Sequence, residues 1–159
     1  MIVALVGSSS FDRFFNPAHD ELQRRGHSVA RFLTRNDLLA AVDALQCLEI
    51  LGASSSFTAD GELFAKMPRL RALVSPFTGV EGFDVSAATA NGILVANGQI
   101  TDNSVSMAEA AVLFTLASLY DLHGTERYLR ENLPRPSQVR ARMLMGKKVG
   151  LIGFGKIGQ

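Results

Sequence analysis

Short, continuously apolar segments recur along the first hundred or so residues, and this recurrence limits the possible folds more than any other feature of the chain. Met1–Gly7 (MIVALVG) opens the series. It is apolar throughout rather than at every second position, as a strand is when helices cover both faces of its sheet. His27–Leu33, Leu48–Leu51, Arg71–Ser75 and Ile93–Ala96 read as further strands. Between them lie helix signals. Asn16–Pro17 suits a helix start, with Gly26 as its C-cap. Asn36 suits the cap of a helix over Asp37–Gln46, whose Leu38, Leu39, Val42 and Leu45 recur at helical spacing. Asp60–Met67 reads as a short helix, and Asp84 as the cap of one ending at Asn91–Gly92. Alternation of this kind predicts a parallel sheet wound on both sides, an α/β fold.

Beyond residue 103 the texture changes. Ser104–His123 reads as one long apolar helix stopped by Gly124, and Thr125–Met145 as an irregular connection with one helical turn. Lys148–Ile152 (KVGLI) then reads as another buried strand, running into Gly153-Phe-Gly-Lys-Ile-Gly158. This last segment fits G-x-G-x-x-G in the required context, directly after an apolar strand. The first glycine permits the tight turn and the second the close approach of backbone N–H groups to a pyrophosphate. The third lets the following helix pack against the strand. The acidic residue that would confirm dinucleotide binding, about twenty positions on, would fall past Gln159. A glycine-rich turn with no ligand therefore remains an alternative on pattern alone.

The 159 residues are 47% hydrophobic and 19% charged, with 16 Lys+Arg against 15 Asp+Glu. This near balance provides no general field toward nucleic acid or an anionic membrane. Cys47 is the single cysteine, which excludes an intrachain disulfide framework and fits a reducing, cytoplasmic setting. No stretch approaches the length of a membrane span, and the opening apolar run is short for a signal peptide.

Four stretches together are more specific than the glycine motif. Leu70–Asp84 (LRALVSPFTGVEGFD), Asn91–Asn97 (NGILVAN), Asn103–Glu109 (NSVSMAE) and Gly146–Gly158 (GKKVGLIGFGKIG) resemble the N-terminal half of the D-isomer-specific 2-hydroxyacid dehydrogenase family, in its order and near its spacing. The resemblance implies a flavodoxin-like substrate domain over 1–103. It also implies a linking helix and the first strand of an incomplete NAD(P)-binding Rossmann domain over 104–159. The implied activity is hydride transfer between NAD or NADP and a small 2-hydroxy or 2-keto acid. On this basis Phe77, Thr78, Gly79 and Val80 would hold the substrate carboxylate. Asn103, Ser106, Gly153, Gly155, Lys156, Ile157 and Gly158 would meet the cofactor. The family's catalytic arginine, glutamate and histidine would lie beyond Gln159, so the chain by itself is expected to be inactive. The intact protein is expected to be a homodimer acting without nucleic acid or membrane.

The sequence departs from the family pattern at Gly98-Gln-Ile-Thr-Asp102, where a Pro-Gly pair is usual, and at Ala110, where a histidine is common. His19, His27 and His123 read as structural, His123 as a cation favoured at the end of the long helix. Glu109 reads as a cap or interface group and Cys47 as a small buried residue. Arg127, Arg130, Arg135, Arg140 and Arg142 are broken up by acids and prolines and read as a solvated connection. Two other classes remain open: a corepressor-like NAD(H) sensor or non-catalytic truncated relative, and an FMN module with Gly7-Ser-Ser-Ser10 as its phosphate loop.

Overall fold

The computed structural model describes residues 1–159 except the side chains of Val42, Ala44 and Leu45. The expected helical face formed by Val42 and Leu45 therefore lies outside the described residues. Two compact units are present, Met1–Gln99 and Ile100–Gln159.

The first unit is built on five parallel strands: β1 (Ile2–Val6), β2 (Ser28–Phe32), β3 (Ile50–Ala53), β4 (Ala72–Ser75) and β5 (Leu94–Asn97). Their order is β2-β1-β3-β4-β5, with Val3 opposite both Val29 and Ile50, and Leu51 opposite Leu73. Consecutive strands in parallel need crossovers, and the helices between them supply these. They are α1 (Asp12–Arg24), α2 (Arg35–Ala40), α3 (Val42–Cys47), α4 (Gly61–Ala65) and α5 (Val85–Ala90).

β1 explains why its sequence is apolar without alternation. Ala4 and Val6 point into the larger core with Leu38 of α2, Leu63 and Phe64 of α4, Ala88 of α5, and Leu51 and Leu73. Val3 and Leu5 point the other way, against Phe15 of α1. The winding is uneven, because α2, α4 and α5 contribute to one face and α1 to the other. On β5, Val95 packs on the larger core while Leu94 is exposed.

Several local expectations are corrected. A 3-10 turn, Ser9–Phe11, leads into α1 at Asp12, so Pro17 lies inside the helix rather than at its first position. Packing of Phe15 on β1 outweighs the lost amide bond at Pro17. The other end of α1 is as expected: Gly26 has φ +81°, and the Gly26 and His27 N–H groups donate to Gln23 O and Leu22 O. These two bonds form a Schellman cap. The cap of α2 is Thr34, not Asn36. Thr34 Oγ1 accepts from Asp37 N–H at 3.1 Å, and the Asp37 carboxylate accepts from Thr34 N–H at 2.9 Å. That reciprocal pair is a capping box. The single helix expected over 37–46 is two, parted at Ala41, whose φ −89°, ψ 59° leaves the helical region. Cys47, expected to be buried, is exposed at the end of α3.

In the second unit the long helix α6 spans Thr101–Leu119, and α7 follows at Leu122–Arg130. Gly124 lies within α7 instead of stopping a helix. The break is at Asp121, in the left-handed region at φ 47°. The Asp121 carboxylate folds over the start of α7 and occupies the space where a Cβ on residue 124 would sit, with Oδ1 2.6 Å from that point. His123 is thereby at the N-terminal end of α7, where the helix dipole disfavours a cation, the reverse of the sequence expectation. Residues 148–152 do not form the expected strand. An interior parallel strand needs ladder partners on both sides, and residues 100–159 contain none. No single helix is long and apolar enough to cross a membrane.

Candidate functional site

In an open parallel sheet, ligands gather outside the carboxyl ends of the strands near the point where strand order reverses. Here that point lies between β1 and β3, bordered by the loops after β1, β3 and β4. The loop after β4 is built from Ser75, whose side chain is fully buried. Its Oγ accepts from Phe77 N–H at 3.2 Å and donates to Gly79 O at 2.9 Å, folding 75–79 into a turn. Asn97 Nδ2 donates to Thr78 O at 2.7 Å, and Gly98 N–H to Phe77 O at 2.9 Å. Gly98 must be glycine, because a Cβ there would drive into the Pro76 carbonyl.

A second seam joins this loop to the one after β3. Gly82 N–H donates to Ser55 O at 2.7 Å, Ala59 N–H to Gly82 O at 2.9 Å, and Asp84 N–H to Ala59 O at 2.8 Å. A Cβ on Gly82 would lie 2.6 Å from Ser55 O, so the two backbones approach as closely as glycine allows. These bonds leave the half-buried Gly79 and Val80 N–H groups with no protein acceptor among the described residues. Two adjacent free N–H groups on a fixed loop can hold one carboxylate. The Glu81 carboxylate rests against Gly79, with Oε1 2.6 Å from where a Cβ would be, and is exposed enough to swing aside.

Of the four predicted substrate residues, Gly79 and Val80 present free amides. The Phe77 amide is spent on Ser75, and its ring is held 5.3 Å from Phe11 and 5.1 Å from Phe14. Sequence reasoning missed this aromatic group. It also missed the serines after β3, where buried Ser54 pairs its hydroxyl with Ser56 at 3.0 Å. Their position after the neighbouring strands β1, β3 and β4 was the available signal. The loop after β1 is crowded by Phe15 and Phe11, 2.7 and 3.3 Å from a Cβ on Gly7. The Ser8 and Ser10 hydroxyls bond each other at 2.7 Å, which leaves little room for the phosphate of an FMN.

The predicted cofactor residues lie in the second unit. Gly153 has φ +97°, a conformation that favours glycine. The Gly158 and Gln159 N–H groups both donate to Gly155 O at 3.1 Å, closing a first helix-like turn. A Cβ on Gly158 would sit 2.6 Å from Gly153 O, so the turn closes on its own backbone at that glycine. A Cβ on Gly155 would meet nothing within 4 Å, and the Gly155, Lys156 and Ile157 N–H groups have no protein acceptor among the described residues. That open, donor-lined turn fits a pyrophosphate. Lys156 and Ile157 also border a 540 Å³ groove along α6, faced by Val105, Glu109, Val112 and Leu116. Asn103 and Ser106, in the first turns of α6, are not among its lining residues.

The remaining candidates are structural or solvated. His19 Nδ1 is 3.0 Å from Asp20 Oδ1, and Arg130 pairs with Glu126 at 2.7 Å. Arg127, Arg135 and Arg140 border a 610 Å³ open cavity between α7 and residues 133–141. Among the described residues no group of three or more His, Cys, Asp or Glu side chains could hold a metal ion.

Comparison with known proteins identifies the family. The chain is 37% identical over 125 residues to D-3-phosphoglycerate dehydrogenase of Mycobacterium tuberculosis, covering 79% of this chain and 23% of that protein. It is 33% identical over 106 residues to glyoxylate reductase of Thermococcus gammatolerans, covering 63% and 32%. The chain thus spans about a quarter to a third of the curated relatives it matches. Among solved structures it resembles D-lactate dehydrogenase of Aquifex aeolicus, complexed with NAD and lactic acid (TM-score 0.80, 23% identity, 98% of this chain and 45% of that one). It also resembles the NADPH-dependent glyoxylate/hydroxypyruvate reductase of Sinorhizobium meliloti (TM-score 0.75, 25% identity, 98% and 47%). The family described as D-isomer specific 2-hydroxyacid dehydrogenase, catalytic domain, matches residues 10–146. With most of its length matched by that family, the chain belongs to the D-isomer specific 2-hydroxyacid dehydrogenases.

Proposed function

We propose that this chain is the substrate-holding part, with the opening of the cofactor-binding part, of an NAD(P)-dependent oxidoreductase acting on the CH–OH group of D-2-hydroxy acids and the corresponding 2-keto acids. The observation that carries the reading is the pair of free amides at Gly79 and Val80, on a loop fixed by buried Ser75 beyond the carboxyl end of β4. They anchor the acid's carboxylate and thereby set the position of its C2 atom, a contribution made through orientation. The Gly155, Lys156 and Ile157 N–H groups receive the pyrophosphate of the dinucleotide, with Gly153 and Gly158 shaping the turn. Asn103 and Ser106 approach the cofactor from α6. When bound, the nicotinamide supplies the hydride that reduces C2 of a 2-keto acid, and the C2 oxygen takes up a proton. The groups that donate this proton and polarise the carbonyl are expected outside these 159 residues, so the chain alone turns nothing over.

The names of similar proteins support both NAD and NADP as candidates. A homodimer is the proposed assembly, supported by the exposed apolar side chains of α6, among them Val112, Leu113 and Phe114. The proposed setting is the cytoplasm, without nucleic acid or membrane partners.

The test is NADH and NADPH oxidation with glyoxylate, pyruvate and hydroxypyruvate, by the 159-residue chain and by the complete enzyme that carries it. The expected result is no turnover by the chain and turnover by the complete enzyme. Turnover by the chain alone would refute its inactivity, and a complete enzyme inert toward every 2-keto acid would refute the oxidoreductase reading.

A further inference from the structure

The two free amides of the carboxylate loop belong to peptide groups whose carbonyls are both held by side chains. A peptide group is planar, and in the trans form its C=O and N–H point in opposite directions. None of the described peptide bonds is cis. Whatever pins the carbonyl of one residue therefore aims the N–H of the next. Asn97 Nδ2 donates to Thr78 O at 2.7 Å, which turns the Gly79 N–H away from Asn97. Ser75 Oγ donates to Gly79 O at 2.9 Å, which turns the Val80 N–H away from the buried Ser75. The Asn97 tether has backbone support, since the next residue, Gly98, donates its N–H to Phe77 O at 2.9 Å. The end of β5 thus holds two consecutive carbonyls of the loop, and β4 holds the third through Ser75.

Glycine makes such a lock necessary. Gly79 has no Cβ to restrict its backbone, so without a tether the Thr78–Gly79 peptide can rotate and present its carbonyl in place of its N–H. An outward carbonyl oxygen repels the carboxylate that the N–H attracts. Resting on the 2-hydroxyacid reading above, we infer that Asn97 is a positioning residue, whose side-chain amide acts through the Thr78 carbonyl to keep the Gly79 N–H facing the acid's carboxylate. The sheet does not depend on this side chain. It is exposed at the end of β5, and the pairing of residue 97 with Ser75 is a backbone one.

The experiment compares the complete enzyme with its Asn97→Leu and Asn97→Ala variants. It measures kcat and KM for whichever of glyoxylate, pyruvate and hydroxypyruvate is reduced fastest, inhibition by oxamate (a carboxylate that is not reduced), and NADH affinity. Asn97→Leu keeps the size of the side chain and removes its donor. A rotated peptide lowers the fraction of competent sites, so apparent affinity falls by that fraction while competent sites turn over as before. KM and the oxamate Ki are expected to rise together by about five- to tenfold, the net worth of one hydrogen bond. The kcat and the NADH affinity are expected to stay within about twofold of the parent. Asn97→Ala, where a water can bond to Thr78 O instead, is expected to raise KM and Ki by about twofold. Unchanged KM and Ki in Asn97→Leu, or a loss of NADH affinity alongside theirs, overturns the positioning role and leaves the oxidoreductase reading standing. A parent enzyme that reduces none of the three acids overturns both.

Discussion

The two units of this chain treat similar apolar content in opposite ways. In Met1–Gln99 the apolar residues of β1, β3 and β4 are buried or half-buried, with Leu51, Leu63 and Leu73 at 0% exposure. In Ile100–Gln159 the only buried residue among those described is Ser104, while Val112, Leu113, Leu151 and Ile152 are exposed. Helix α6 is apolar around its circumference and β-rich 148–152 is unpaired. Apolar sequence is thus a demand for partners rather than a guarantee of them. The first unit meets that demand within about a hundred residues of parallel sheet, and the second does not meet it among its own residues.

The comparison is tested most severely by truncating one leucine in each unit. Leu73→Ala is expected to cost about 2–5 kcal/mol, because it removes packing on every side. Leu129→Ala, at a side chain 78% exposed on α7, is expected to change stability by no more than about 0.5 kcal/mol. Urea unfolding of both variants gives the difference, and equal losses would contradict the contrast. Gly82→Ala comes next, at about 1–3 kcal/mol, since its Cβ would press on the Ser55 and Phe57 carbonyls. Gly155→Ala meets open space and is expected to leave the unfolding midpoint unchanged while weakening NADH binding, which fluorescence titration reads separately.

Asp60→Ala should cost about 1 kcal/mol, since Asp60 caps α4 through Leu63 N–H at 2.9 Å. The smallest effect concerns pH. Arg24, then Arg25, hold the Glu21 carboxyl below its ordinary value of 4.5. A depressed carboxyl contributes stability that is fully present above 4.5 and is lost as pH falls through the lowered value. The pair is exposed, so salt should erase much of this contribution. Glu21→Gln should flatten only that acid limb of the pH–stability curve at low salt.

The legible parts of this molecule are those set by local chemistry. Gly26 and Asp84 announced their caps, Asp60 only the opening of a helix that it caps, and the continuous apolar strands announced a sheet covered on both sides. Thr34 was missed because its capping box depends on Asp37 reaching back, and Asn36 beside it looked equally competent. Pro17 misled for a related reason, since its preference for a first turn gave way to the packing of Phe15. In the candidate site, the sequence pointed to Phe77–Val80 through a family resemblance and to the glycines of 153–158 through their spacing. Their division of labour could not be found there, because Ser75 claims the Phe77 amide only once the turn is folded.

By itself the sequence determined the α/β class, the parallel winding and the helix ends at Gly26 and Gly92. These follow from apolar periodicity, capping residues and glycine, which act over a few residues. Tertiary structure alone decided the strand order, the seam joining Gly82 to Ser55, the aromatic wall of Phe11, Phe14 and Phe77, and the unformed strand at 148–152. Each of these depends on what a distant segment supplies, whether a carbonyl, a ring or a neighbouring strand, and local sequence does not encode which segment will be there.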